Sequence, residues 1–395
     1  MKLLIYSHFF APSVGGVESI VRSLASGVAE MRSPGGAPEF EVTLATQTPA
    51  GDFDDSPFGF PVVRNPNLFR LWRLIRRSDV IHVAGPSLAP LLLARLAGKP
   101  AVIEHHGYQA MCPNGVFIQQ PERHVCPGHF QARRYRECVR CLTHETSRWR
   151  SLLALLRMFP RRYLTSHATA NLVISRHILK RQEFPHSSVL YYGIEDLLPN
   201  VAVSCKEHPP AEKITFAYVG RLVPEKGLPV LLAAAKILQQ EGRSFEILLI
   251  GDGPERASLE SILARGALSS NVHITGFLTG QALAAALASV RVVVMPSVWE
   301  ETAGLAAIEQ MMRGRLVIAS DIGGLGEVVA GTGLKCPPGD AAALAGAMRE
   351  VLERPAIISS LGEAARARAQ RMFRRERMIA EHAEVYRRVA APHRA

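Results

Sequence analysis

No apolar run in this sequence reaches the roughly 18 residues that a membrane-spanning helix needs. The nearest candidate, LAPLLLARLAG from Leu88 to Gly98, is broken by Arg95. The N-terminus MKLLIYSHFF is too short an apolar stretch for the core of a signal peptide, and no small-residue cleavage site follows. We therefore expect a first buried strand in a cytoplasmic protein. Low-complexity tracts are absent, which argues against a disordered chain. No strand-like segment is followed by a complete Gly-x-Gly-x-x-Gly, which weakens a dinucleotide-dependent dehydrogenase, and no Gly-Lys-Ser/Thr phosphate loop supports a nucleotide triphosphatase. No side chain reads as an obvious nucleophile. Cysteine is scarce, six in 395 residues, yet four fall within one short stretch.

What is present is ordinary for a globular protein: 48% hydrophobic and 21% charged residues. The length exceeds what one core usually serves and implies two domains. The net charge of +11 is not evenly spread. Between Arg123 and Arg181 thirteen Arg or Lys face only Glu137 and Glu145. Such a block is either a solvated basic surface or a contact for an anionic partner such as membrane lipid. No nucleic-acid-binding motif accompanies it and its aromatics are sparse, so nucleic acid is not expected.

The N-terminal half alternates strands and helices. KLLIYSHFF (Lys2–Phe10), FEVTLAT, DVIHVAG and AVIEHHG read as strands, and VESIVRSLASGVAEM has apolar positions at helical spacing. A polar, Pro-containing stretch around Pro199–Pro210 reads as a linker. The alternation then restarts with KITFAYVGRL, LPVLLAAAKILQQEG, FEILLIGDG, ERASLESILARG, NVHITGF, VRVVVMPS and RLVIASDIGG. Near-continuous apolar strands between helices imply parallel sheets covered on both faces. We expect two doubly wound α/β domains, 1–198 and 199–372. Ligands of such sheets bind beyond the carboxyl ends of the strands. The tail from Phe373 is one amphipathic helix that its own pattern does not place.

Candidate site residues fall at those strand ends. In APSVGGVES, Gly15 and Gly16 open a helix, where free N–H groups and the helix dipole suit phosphate, although such a pair is often only a turn. In YVGRLVPEKGL, Arg221 and Lys226 flank a loop between strand and helix and could bracket a diphosphate. In PSVWEETAGLAAIE, Glu301 precedes a helix start at Gly304 and Glu309 lies in its second turn. The N–H groups of Ala303, Gly304 and Leu305 would donate to phosphate, and Glu309 could accept from the hydroxyls of a ribose. A plain alternative is that both carboxylates only favour the helix dipole.

Together these segments resemble the retaining glycosyltransferases of family 4. HFFAPSVGGVE, DVIHVAGP, EHHGY, LYYGIE, VGRLVPEKG, IGDGPE, ITGF, PSVWEETAGLAAIE and IASDIGGLGEVV occur in that order across nearly the whole chain, and Glu301–Glu309 matches the E-x7-E motif. The resemblance implies a GT-B fold: two Rossmann-like domains facing across a cleft, with the C-terminal helix of about 373–395 crossing back to the N-terminal domain. It implies a sugar transferred from a nucleoside diphosphate to a glycan or lipid-linked acceptor, as in polysaccharide or glycolipid synthesis. It implies catalytic roles for Arg221, Lys226, Glu301 and His106, donor contacts from Gly15, Gly16, Arg221, Lys226, Ala303, Gly304, Leu305 and Glu309, and no catalytic cofactor. Glu104 and His105 are less clearly involved. Two positions depart from the pattern: Ala303 stands where an aromatic is frequent, and Tyr192-Gly193 where Asn-Gly is. A nucleotide-sugar epimerase of the same architecture and a non-enzymatic anionic-polymer-binding protein are the alternatives.

Two features lie outside that pattern. An insertion of about 108–145 carries Cys112, Cys126, Cys138 and Cys141 with His124, His129 and His144 among or beside them. Structural zinc and reduced thiols are both open readings; disulfides do not suit the cytosol. SRWRSLLALLRMFPRRYL (Ser147–Leu164) follows, an Arg-rich amphipathic segment that could rest on an anionic membrane or be an internal helix with a basic face. The base, sugar, acceptor, linkage and oligomeric state are not legible.

Overall fold

The computed structural model describes residues 1–196 and 213–391. The linker expected at Pro199–Pro210 lies outside the described residues. The chain divides into two compact units, Met1–Glu195 with Phe373–Ala395, and Asp196–Met372.

The first unit is built on seven parallel strands, with a small antiparallel hairpin beside them. In chain order they are β1 Lys2–Ser7, β2 Glu41–Thr46, β3 Val62–Arg64, β4 Val80–Ala84, β5 Ala101–His105, the hairpin pair β6 Ile118–Gln119 and β7 His124–Val125, then β8 Ala170–Val173 and β9 Ser187–Val189. The sheet order is β3-β2-β1-β4-β5-β8-β9, reversing direction between β1 and β4. Strands β4, β5 and β8 are buried at every position, which explains their unbroken apolar runs. It also makes His82 in β4 and Glu104 in β5 conspicuous, since a buried polar group needs a partner. The first strand ends at Ser7 rather than at the expected Phe10, because the Ser7 hydroxyl turns onto the Phe9 carbonyl at 2.6 Å.

The tail folds as one helix, Arg375–Ala390, within this unit. Its approach is backbone-specific: Ile194 N–H donates to the Phe373 carbonyl at 2.8 Å, and Arg375 N–H to that of Ile194 at 2.9 Å. A Cβ at Gly27, on helix Gly16–Glu30, would come within 2.0 Å of Ile379 Cδ1. Glycine there lets the two helices approach closely.

The second unit has six parallel strands, β10 Ile214–Val219, β11 Phe245–Ile250, β12 Val272–Gly276, β13 Val292–Met295, β14 Leu316–Ser320 and β15 Leu334–Cys336. Their order is β12-β11-β10-β13-β14-β15, the doubly wound arrangement whose switch point lies between β10 and β13. Helices Leu228–Gln240 and Leu305–Met312 return the chain between strands, and helix Ala341–Glu353 follows the final one. That helix is capped by Asp340, whose carboxylate accepts from Ala343 N–H at 2.9 Å.

Candidate active site

The loops after β10 and β13, on either side of the second unit's switch point, are tied together. Val298 N–H donates to the Glu225 carbonyl at 3.0 Å. Gly227 has φ +69°, and a Cβ there would sit 2.0 Å from the Pro296 carbonyl oxygen. Only glycine permits both the turn and the contact. Through this junction Lys226 Nζ reaches Glu301 Oε1 at 2.8 Å, and the Ser297 hydroxyl donates to the same oxygen. The Glu301 backbone is held too, its carbonyl accepting from Gly324 N–H at 2.6 Å beyond β14. Three strand-end loops thus fix one buried carboxylate and one half-buried ammonium.

Beside this pair Gly304, at φ +67°, starts helix Leu305–Met312 with no side-chain cap. The first turn of such a helix leaves N–H groups for an acceptor. Ala303 and Gly304 are buried and Leu305 is half-buried. Glu309 projects from the second turn, accessible to solvent, yet enough protein surrounds it that desolvation raises its carboxyl pKa, with nearby Arg313 opposing. Arg221 is exposed, and its carbonyl accepts from the buried Tyr218 hydroxyl at 2.7 Å. The structure therefore places Arg221, Lys226, Glu301, Ala303, Gly304, Leu305 and Glu309 at the carboxyl end of one sheet.

The first unit treats its candidates differently. Gly15 is extended, at φ −170°, and the Glu18 carboxylate lies so close that a Cβ at Gly15 would be 2.4 Å from Oε2. The chain's own acid thus lies over the helix start at Gly16. His105 is a core residue: Nε2 meets Asn171 Oδ1 at 2.9 Å, its ring stacks on Phe184, and burial lowers its pKa to about 4. His106 turns inward, with Nδ1 2.7 Å from the Tyr192 hydroxyl and Nε2 3.6 Å from Glu104 Oε2.

Glu104 is the centre of a buried cluster. Its oxygens lie 3.4 Å from His82 Nε2 and 3.5 Å from His382 Nε2, while Tyr386 Oη meets His82 Nδ1 at 3.0 Å. His382 Nδ1 lies 2.8 Å from the Met378 carbonyl, so that nitrogen carries a proton. Burial alone would raise the Glu104 pKa; the charges of His106 and His382 outweigh it and hold the carboxyl well below its ordinary range. Burial lowers the pKa values of His82 and His106, against the pull of Glu104. Sequence reading missed His82, His382 and Tyr386 here, and marked Tyr192 only as a departure from the family pattern. The one local signal was a histidine in the middle of the apolar strand VIHVA.

All four insertion cysteines are buried and outside any disulfide. Among the described residues, no three His, Cys, Asp or Glu side chains as they stand are set to hold a metal ion.

Residues 213–354 match the family described as glycosyl transferases group 1, and every second-unit candidate lies inside that match. The second unit is similar to this family over that segment. The alpha-D-kanosaminyltransferase of Streptomyces kanamyceticus is 27% identical over 314 residues, 76% of this chain and 74% of that protein. The 2-deoxystreptamine glucosyltransferase of the same organism is 37% identical over 145 residues, and the match spans only 36% of this chain and 37% of that relative. Among solved structures, Anabaena Alr3699/HepE in complex with UDP superposes with a TM-score of 0.71 at 18% identity, covering 98% of this chain and 99% of the other. That likeness establishes the GT-B type of fold for this chain. The family match also gives the Lys226–Glu301 junction a context: it sits inside the matched segment, at the switch point where ligands of such sheets bind. The Glu104 cluster lies outside that segment.

Proposed function

We propose that this glycosyltransferase moves a sugar from a nucleoside diphosphate to a glycan or lipid-linked acceptor, with retention of anomeric configuration. The observation that carries the reading is the Lys226–Glu301 pair, fixed between the switch-point loops beside the uncapped helix at Gly304. A diphosphate placed there would meet Arg221 and Lys226 as cations and the Ala303–Leu305 backbone as N–H donors. Glu309 would accept the ribose hydroxyls, and Glu301 would hold hydroxyls of the sugar. As the bond from the anomeric carbon to phosphate oxygen breaks, its electron pair leaves with the nucleotide. The two cations stabilise that growing charge. The acceptor oxygen attacks from the face the phosphate departs, and its proton passes to the leaving phosphate oxygen. No nucleophilic side chain is needed.

Calorimetry with UDP, GDP and ADP tests the donor site, and NMR of products from the preferred sugar conjugate tests the stereochemistry. One preferred diphosphate and an anomerically retained product are expected. Donor isomerised in solution without transfer would favour an epimerase instead.

A membrane-bound acceptor is supported by helix Arg148–Ser166. It exposes Trp149, Leu152, Leu156, Phe159 and Tyr163 beside exposed Arg148, Arg150 and Arg157. No helix among the described residues is long and apolar enough to cross a membrane. An exposed apolar-and-basic helix suits peripheral contact with anionic lipid. Sedimentation with vesicles should show binding that rises with anionic lipid and falls with salt.

A further inference from the structure

The insertion of about 108–145, between β5 and helix Arg148–Ser166, has as regular structure of its own only the two-residue strands β6 and β7 and helix Tyr135–Thr143. Its small apolar cluster, Phe130 and Cys138, is completed by Leu155 and Met158 of the helix that follows. Lobes with cores this small usually need a cross-link or a metal. Cys112, Cys126, Cys138 and Cys141 come from three different pieces of this lobe: a turn after β5, the end of the β6–β7 hairpin and one face of the helix. They nevertheless line a single cavity of about 10 Å³, room for one small guest.

We propose that these four cysteines bind one zinc ion, which staples the lobe. Four sulfur ligands around a small, closed space suit a soft, tetrahedral ion and offer no oxygen cage for magnesium or calcium. With the thiols protonated, Cys112 Sγ donates to Asn114 Oδ1 at 2.9 Å and Cys141 Sγ to the Ile118 carbonyl at 3.5 Å. Metal binding removes the protons, ends those donations and frees the sulfurs to turn onto the ion. Donors to the resulting thiolate are already in place: Gln120 N–H lies 3.3 Å and Asn114 Nδ2 3.6 Å from Cys141 Sγ. Such outer contacts are what tune a metal ligand. Independently, His129 lines the same cavity, and its buried Nδ1 has no hydrogen-bond partner, although Nε2 meets Gln119 Oε1 at 2.7 Å.

The test uses the full-length protein purified without chelators, with metal measured by plasma mass spectrometry. About one zinc per chain is expected, released stoichiometrically as a mercurial titrates the thiols. Protein refilled with cobalt should show thiolate-to-cobalt charge transfer and the intense visible bands of a tetrahedral site. Cys138→Ser and Cys141→Ser should each bring bound zinc to well below one equivalent, whereas His129→Ala should keep it. If the serine variants fail to fold, cobalt titration of the unaltered chain decides alone. Less than about a tenth of an equivalent of metal with no tetrahedral cobalt spectrum, or disulfides mapped among the four, would overturn the site. Loss of zinc in His129→Ala with full retention in Cys138→Ser would overturn the ligand set.

Discussion

Replacing Lys226 with Met tests the donor site most directly, because the side chain has two separable duties. In the structure its ammonium pairs with Glu301 at 2.8 Å while about a quarter of the side chain remains exposed. Removing it leaves Glu301 with the Ser297 hydroxyl as a remaining partner, so the folded state loses one half-exposed charge-assisted contact. Exposed pairs are worth about 0–1 kcal/mol and breaking a buried one costs about 3–5 kcal/mol; with Glu301 buried and Lys226 partly exposed, this one falls between. A contact to phosphate would be charge-assisted on both sides, about 1.5–3 kcal/mol, or roughly 10- to 150-fold in affinity. Lys226→Met should therefore weaken binding of the preferred nucleoside diphosphate by one to two orders of magnitude and lower the thermal midpoint while the chain still folds. Isothermal calorimetry and differential scanning fluorimetry read the two quantities separately. Lys226→Arg should recover part of the affinity. A folded Lys226→Met protein that binds the diphosphate within threefold of the unaltered chain would refute the assignment. In that event the pair with Glu301 serves only to hold the loop.

Four further outcomes are expected. Glu309→Gln should weaken a nucleoside diphosphate about tenfold while leaving inorganic pyrophosphate unaffected, since the carboxylate is assigned to ribose; equal losses for both ligands would argue against it. Gly227→Ala should destabilise by at least about 1–3 kcal/mol in thermal unfolding, because its Cβ would meet the Pro296 carbonyl at a positive φ. Glu104→Gln should destabilise by about 1–3 kcal/mol, because it removes the carboxylate that the buried nitrogens of His82, His106 and His382 face. Because the folded Glu104 carboxyl is held below its unfolded value, that advantage is full above about pH 4.5 and fades as pH falls through the lower, folded value; a difference constant across that range would contradict the charge assignment. Trp149→Glu with Phe159→Glu should reduce sedimentation with anionic vesicles severalfold without altering nucleotide affinity.

Much of the architecture was visible along the chain. Strand-helix alternation is local: β4, β5 and β8 are buried on both faces and so must be apolar throughout, while their helices keep a 3.6-residue rhythm. The strand-end loops are also local. The positive φ at Gly227 and Gly304 leaves a glycine in the sequence wherever the turn requires it. For that reason Arg221, Lys226, Glu301 and Glu309 are legible as candidates from the sequence alone. That Lys226 meets Glu301 is not, since 75 residues separate them and only the parallel pairing of β10 with β13 brings their loops together.

Tertiary structure alone assembled the Glu104 cluster. His82, His106, Tyr192, His382 and Tyr386 come from a strand, two loops and the tail helix, and none carries a local mark of its partner. It also settled the tail: an amphipathic helix shows which face it will bury, but not against what. Here Gly27 leaves the space that Ile379 fills, and the His82–Tyr386 contact joins strand to helix. The four cysteines fall between these cases. Their crowding was plain in the sequence, but their arrival at one cavity depends on how hairpin and helix pack. Local sequence determines backbone conformation and periodicity; the pairing of distant polar groups follows only from which elements share a core.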